Sequence, residues 1–231
     1  MASSTLARKP LVLAGLENLV SMAKTVALRH LCIFKETKHA VMIIHPEDAR
    51  LRYVVGDGIE NDELTLLIEI FRQNECLPCS VWVPYSDREI GDSMNTICQK
   101  QYGYSIIRNK RNFKRELKTM FNAMPANGDI CYFIEDESDI HRVIRLFDKS
   151  KNEIGSVTLY NDNETIGVYD LKINEPYRRK GYGRILIDLI EQTIQHPNTT
   201  KIVAQVKDNV LAFYTKVGFE VEGKLCVMNI V

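Results

Sequence analysis

The chain has no apolar run approaching the about 20 residues that cross a bilayer, so nothing in it reads as a membrane span. Its start, Lys9 followed by LVLAGL, has a faint outline of a secretory signal. The apolar stretch is short, Glu17 interrupts it and no cleavage pattern follows, so it reads as a linker into a first helix. An excess of one charge is also missing. Lys+Arg and Asp+Glu both number 30, and a surface that coats nucleic acid would need a basic surplus. No repeat or low-complexity segment stands out. Tryptophan occurs once, at Trp82, and reads as core or interdomain packing. The six cysteines, at 32, 76, 79, 98, 131 and 226, are scattered. Without secretory context they read as reduced thiols, which implies a cytoplasmic location. Cys76 and Cys79 form a lone C-x-x-C with no further ligands nearby in sequence. The histidines (His30, His39, His45, His141, His196) show no metal spacing, so no metal is expected.

What remains is ordinary for a globular protein: 45% hydrophobic and 26% charged residues in 231, enough for one large domain or two small ones. The breakers Met124-Pro125-Ala126-Asn127-Gly128-Asp129 mark the best boundary, giving expected domains 1–125 and 126–231. In the first, residues 16–27, 63–73 and 88–101 read as helices, and 40–44, 51–55, 80–83 and 104–108 as strands. Leu64, Leu67, Ile68 and Phe71 form one apolar stripe. In the second, 130–134, 141–148, 154–160 and 165–173 read as strands of a mostly antiparallel sheet, with turns at Lys151-Asn152 and Asp162-Asn163. A helix over 184–194, a strand over 201–206, a helix from 208 and a last strand over 226–231 follow. The expected class is therefore α/β (α+β), a mixed sheet flanked by helices. The basic stretch Arg108, Lys110, Arg111, Lys114, Arg115, Lys118 reads as a solvated face.

The informative segment is Arg178-Arg179-Lys180-Gly181-Tyr182-Gly183, placed after a strand and before a helix. Glycines at such a junction let backbone N–H groups approach an anion, and the positive helix end favours phosphate or pyrophosphate there. A Rossmann loop fits poorly, since it expects three spaced glycines near the start of a βαβ domain. A plain turn with a solvated charge run is the bland alternative. Asn209, Tyr214, Gly218 and Phe219 follow, with Asn209 read as the helix N-cap and Gly218 as its C′ residue.

Both blocks, in this order and spacing, resemble the GNAT superfamily of acyl-CoA-dependent N-acyltransferases, over residues 126–231. Arg178, Gly181 and Gly183 fill its Arg/Gln-x-x-Gly-x-Gly/Ala signature. The resemblance implies acetyl-CoA as co-substrate, with pyrophosphate held by Arg178, Arg179, Lys180, Gly181, Tyr182, Gly183 and Arg184. It implies pantetheine along Leu171, Lys172 and Ile173, with an oxyanion donor at the N–H near Leu171, and further cofactor contacts from Asn209 and Phe213. Tyr214 matches the tyrosine that protonates the departing thiolate. The glutamate that many members carry early on the preceding strand falls near Gly167 here. Asp170 is the substitute as base or acceptor anchor, with a structural salt bridge as its alternative role. Glu164 stands further back. Strand alternation would put Val168, Asp170 and Lys172 on one face unless a bulge intervenes.

Two helices that the family places between its first strands have no room between Ile134 and Val143. The acidic run Glu135, Asp136, Glu137, Asp139 there reads as an exposed loop, or as lining for a cationic acceptor. The first half weakly resembles the degenerate domain of two-part GNAT proteins, through LPCSVWVP at 77–84 and Tyr102-Gly103-Tyr104, with no glycine loop in support. The leading expectation is an N-acetyltransferase acting on a small-molecule or peptide amine. An acetyl-CoA-binding sensor or scaffold is the alternative, and a protein-interaction module the third reading.

Overall fold

The computed structural model of the chain describes residues 11, 13–29, 31–85, 98–109, 130–138, 140–162, 164–193 and 199–231. They group into two compact units. One comprises Met1–Ser105, Gln205–Asn209 and Val221–Val231, the other Ile106–Ala204 and Val210–Glu220. The boundary expected at 124–129 lies outside the described residues. The units differ from 1–125 and 126–231 because they follow strand pairing, which carries the chain's last residues into the first unit.

The first unit opens with helix α1 (Ala14–Arg29), then β1 (Ile33–Glu36), β2 (Ala40–Ile44) and β3 (Arg52–Gly56). Helix α2 (Asn61–Gln73) crosses over to β4 (Cys79–Pro84), parallel to β3, and β11 (Glu220–Ile230) pairs antiparallel with β4. The strand order in this unit is β1-β2-β3-β4-β11. The run AVMII of β2 is buried on both faces, as expected for a strand between two helical layers. Leu64, Leu67, Ile68 and Phe71 of α2 are each 0% exposed and pack on Ala40, Met42, Ile44, Val54, Val81, Met228 and Ile230. Each is worth about 1.5–3 kcal/mol over an exposed position. Cys76 and Cys79 belong to this apolar cluster, which explains the C-x-x-C as packing. At the start of α1, the Glu222 carboxylate accepts from the N–H groups of Ala14 (2.9 Å) and Gly15 (3.4 Å), an anion on the positive helix end.

The second unit is a meander of β6 (Ile130–Ser138), β7 (His141–Asp148), β8 (Glu153–Asn161) and β9 (Thr165–Ile173), all antiparallel. Helix α3 (Tyr182–Thr193) crosses over to β10 (Lys201–Lys207), whose first residues run parallel to β9. Helix α4 (Asp208–Lys216) follows. The apolar residues of α3, Leu186, Ile187, Leu189 and Ile190, are buried, as are Ile144, Leu146, Val157 and Leu159, and the helix lies against β7, β8 and β9. Strands β5 (Cys98–Asn109) and β10 are cut by the division and contribute to both units.

Several expectations change. Strand β1 was not foreseen, and Cys98–Gln101 belong to β5 rather than to a helix over 88–101, whose remainder lies outside the described residues. Glu135 and Asp136 are strand residues of β6, not a loop. They meet Arg145 at 3.6 Å and Arg142, their near neighbours on β7. Arg108 is not on a solvated face: its side chain is 2% exposed and lies 3.3 Å from Glu191, itself 8% exposed. The rest of that basic stretch lies outside the described residues. The tight β6–β7 connection leaves no helices between those strands. Among the described residues no helix is long and apolar enough to cross a membrane, and no His, Cys, Asp or Glu cluster could hold a metal.

Candidate functional site

Strand β9 ends at Ile173, and Pro176 sits in a short 3-10 turn over Glu175–Tyr177. Arg178 folds back so that its Nε donates to the Ile173 carbonyl at 3.0 Å. Arg179 and Gly181 then adopt left-handed backbone, φ 63° and 88°. For Arg179 that conformation is unusual in a residue with a Cβ, and for Gly181 it explains the glycine. The Gly181 carbonyl accepts the first helical bonds, from Arg184 (3.0 Å) and Ile185 (3.3 Å). The N–H groups of Tyr182 and Gly183 precede those bonds and stand at the positive end of a helix of 12 residues. Arg178, Arg179, Lys180 and Arg184 are exposed around this end. Left-handed turns, uncommitted amides and four cations suit a pyrophosphate.

Behind the turn, Gly183 is held close to α4. A Cβ added there would lie 3.1 Å from Cζ of Phe213 and 3.9 Å from Cγ1 of Ile173. Phe213 meets Tyr214 edge-on at 5.1 Å, and Tyr214 meets Phe219 edge-on at 5.3 Å. Helix α4 closes with a Schellman arrangement. The Phe219 N–H bonds the Tyr214 carbonyl (3.0 Å), the Gly218 N–H bonds that of Thr215 (3.1 Å), and Gly218 has φ 88°. The Tyr214 side chain is thereby fixed and buried, and burial pushes its hydroxyl up to about 12.

Strand β9 carries a bulge. Tyr169 pairs with Thr158 and Lys172 with Ser156, so Asp170 and Leu171 together oppose Val157. Asp170 has φ 49°, within the left-handed region that Asp tolerates better than most residues. Thr158 and Ser156 share a face of β8, so Tyr169 and Lys172 share one on β9. The bulge allowed for in the sequence is thus present, and it moves Lys172 off the face of Val168, because the extra residue resets the alternation.

These contacts join Arg178 to Ile173 and Arg184 to Gly181, and bring Gly183, Ile173, Phe213 and Tyr214 together; those described do not run through the side chains of Asp170, Leu171, Lys172, Arg179 or Asn209. Asp170 and Lys172 are exposed and Leu171 half-buried. Asn209 is not the N-cap: α4 begins at Asp208, directly after β10, and Asn209 is its exposed second residue. Sequence reading missed Tyr177 and Asp148, whose hydrogen bond at 2.6 Å ties this turn to the β7–β8 hairpin.

The first unit also has a glycine turn between strand and helix, contrary to expectation: Gly56-Asp57-Gly58 leads from β3 into α2, with φ 72° at Gly58. Its charge is reversed, with Asp57, Glu60, Asp62 and Glu63 where the second unit has cations. Gly58 faces open space, but the start of the turn at Gly56 is closed. A Cβ at Gly56 would lie 2.4 Å from the His39 carbonyl oxygen, and Glu63 accepts from the Thr37 hydroxyl and lies 3.0 Å from His39 Nδ1. An anion has no reason to settle there.

Residues 133–231 match the family model described as an acetyltransferase (GNAT) domain. The fold resembles a GCN5-related N-acetyltransferase from Kribbella flavida, at TM-score 0.64 and 11% identity, over 94% of this chain and 96% of that one. It also resembles a GCN5-related N-acetyltransferase-like protein from Streptococcus suis, at TM-score 0.56 and 8% identity, over 94% and 98%. A tandem GNAT protein from the clavulanic acid biosynthesis pathway gives TM-score 0.56 at 8% identity, over 90% and 86%. At these identities the likeness is one of fold.

Proposed function

We propose, from the premise that residues 133–231 form a domain of the GNAT acetyltransferase family, that this protein is a cytoplasmic N-acetyltransferase. It moves the acetyl group of acetyl-CoA to a primary amine of a small molecule or peptide by direct attack. The observation that carries the proposal is the cationic turn at 178–184, with left-handed Arg179 and Gly181 opening α3, Phe213 packed behind Gly183 and Tyr214 against Phe213. The residues suit the co-substrate: cations and amides for pyrophosphate, no Cβ at Gly181 to block its approach, and at Gly183 room for the start of α3 to sit against Phe213. The reading divides the labour at about residue 125, with 126–231 holding acetyl-CoA and 1–125 forming the degenerate half.

Acetyl-CoA supplies a thioester carbonyl. The amine nitrogen bonds to that carbon, and the C–S bond breaks with its electron pair leaving on sulfur. A free alkyl amine has a pKa of about 10.4, so a proton must first be removed at neutral pH. Asp170, directly or through water, is the group we assign to it. The bulge takes the backbone near Leu171 out of regular pairing, which suits an N–H reserved for the developing oxyanion. Tyr214, neutral at physiological pH, donates to the sulfur as it gains charge.

One observation favours the alternative of a sensor that binds acetyl-CoA without turnover. Gly167 occupies the position where the resemblance expects a glutamate, in regular pairing with Tyr160 and Val203. Thiol release from acetyl-CoA, measured with amines, polyamines, aminoglycosides and short peptides, separates the two. Release with one acceptor class, reduced in Tyr214→Phe, is the expected result. Tight binding of acetyl-CoA with no release across the panel supports the sensor, and no binding rejects both.

A further inference from the structure

Between the 3-10 turn at Glu175–Tyr177 and Tyr182 the proposed anion-binding turn is irregular, yet two left-handed residues within it must hold their conformation for the amides to converge. Something outside the turn has to fix it. The β7–β8 hairpin does so at two points. Asn174 donates through Nδ2 to the Glu153 carbonyl at 2.6 Å and through its N–H to the Ile154 carbonyl at 2.8 Å. Further along, the Tyr177 hydroxyl donates to Oδ2 of Asp148 at 2.6 Å. Asp148 is itself fixed by the hairpin: its carboxylate accepts from the Asn152 N–H at 2.9 Å and from Asn152 Nδ2 at 3.1 Å, across a turn in which Lys151 is left-handed. The Tyr177 ring then supports the turn from below. It meets the Tyr182 ring edge-on at 6.0 Å, and the Lys180 ammonium stands 5.8 Å above its centre. One side chain thus touches the hairpin, a loop cation and the first helical residue.

We infer that Tyr177 and Asp148 are positioning residues that hold the 178–183 turn in its pyrophosphate-binding shape, and so set the affinity for acetyl-CoA without touching the reacting atoms. The inference rests on the acetyl-CoA reading above. The hydrogen bond is a neutral phenol donating to an ionised carboxylate, which favours the charged form of one partner and the neutral form of the other. Tyr177 holds Asp148 below the usual carboxylate range, and Asp148 raises Tyr177. A turn already in its bound shape loses less conformational freedom on binding, so breaking the brace weakens binding rather than chemistry.

The test compares Tyr177→Phe, which keeps the ring, with Asp148→Asn, which keeps the shape of the acceptor, and with the double variant. The dissociation constant of acetyl-CoA is measured by calorimetry and turnover by thiol release, using both acetyl-CoA and S-acetylpantetheine, which lacks the pyrophosphate. Each single variant is expected to raise the acetyl-CoA dissociation constant and KM by about 3- to 10-fold, as for one lost charge-assisted hydrogen bond at a partly exposed site. The double variant should be no worse than either, with kcat and the kinetics of S-acetylpantetheine unchanged. Unchanged affinity in both variants, beside a wild type that binds, overturns the brace alone. An equal loss with S-acetylpantetheine also overturns it, since that marks general damage to the fold. A wild type that does not bind acetyl-CoA overturns the parent reading and this one with it.

Discussion

Removing the Tyr214 hydroxyl tests whether its burial serves chemistry. The side chain is 7% exposed, between the rings of Phe213 and Phe219, and its hydroxyl is pushed up to about 12. Against a reference of about 10, that is two units, or about 3 kcal/mol in favour of the phenol over the phenolate. An alkyl thiol titrates near about 8.5, so complete proton transfer from Tyr214 to a departing thiolate would be uphill by about 5 kcal/mol. On the proposed reaction, Tyr214 would therefore act through a hydrogen bond to sulfur as charge develops, and a bond to a charged acceptor is worth about 1.5–3 kcal/mol. Tyr214→Phe is expected to lower kcat by about 10- to 150-fold while the acetyl-CoA dissociation constant stays within about 2-fold.

The pH dependence gives the sharper check. The folded-state value is raised, so the donor is intact below about pH 10 and is lost only as pH climbs toward about 12. The accompanying stability follows the same window, present below the unfolded value and lost as pH rises through the folded one. The wild-type kcat profile should show no alkaline limb from this tyrosine in the range where steady-state assays run. A descending limb centred near about pH 9–10 in the wild type, and absent in Tyr214→Phe, would refute the reasoning, because it would place an ordinary solvated phenol at the site.

Gly183→Val adds a branched side chain where even a Cβ lies 3.1 Å from Phe213, and should weaken acetyl-CoA binding by at least about 10-fold in calorimetry. Unchanged affinity would remove the assignment of the turn. Arg108→Met takes the cation away from Glu191 in a site where their side chains are 2% and 8% exposed. Urea unfolding should show a loss of about 3–5 kcal/mol, largely restored by Glu191→Met in the same chain, and a loss below about 1 kcal/mol would mean the pair is not buried in solution. Asp170→Asn removes charge but tolerates the same left-handed backbone. It should cut turnover at neutral pH and leave acetyl-CoA affinity intact, and full activity would make Asp170 a residue of the bulge only.

Local signals carried most of the fold. The stripe Leu64, Leu67, Ile68, Phe71 is the buried face of α2, and the hairpins of the second unit fall close to the turn residues that announced them. What was hidden depends on partners far along the chain. Strand β11 pairs with β4, which moves the C-terminus into the first unit, and Glu222 on β11 caps α1 across more than 200 residues. Arg108 looked like one of a series of surface cations because its neighbours in sequence are charged. Its burial is set by Glu191 and by the close approach of Gly218, where an added Cβ would lie 3.2 Å from Arg108 Nε.

The site was legible where it consists of backbone and contiguous residues, and illegible where it depends on register. Arg178, Gly181 and Gly183 sit at the turn because the pattern of strand, glycines and helix dictates it locally. The stretch from Val168 to Lys172 does not follow its own pattern. Alternation along β9 places Asp170 with Val168 and Lys172, but the strand opposite supplies one residue, Val157, against two. The only local hint is chemical: Asp is among the few non-glycine residues that accept φ 49° without large cost. The bulge moves Lys172 to the face of Tyr169 and breaks the ladder beside Leu171, the place where a thioester oxygen would need a donor not already spent on the sheet.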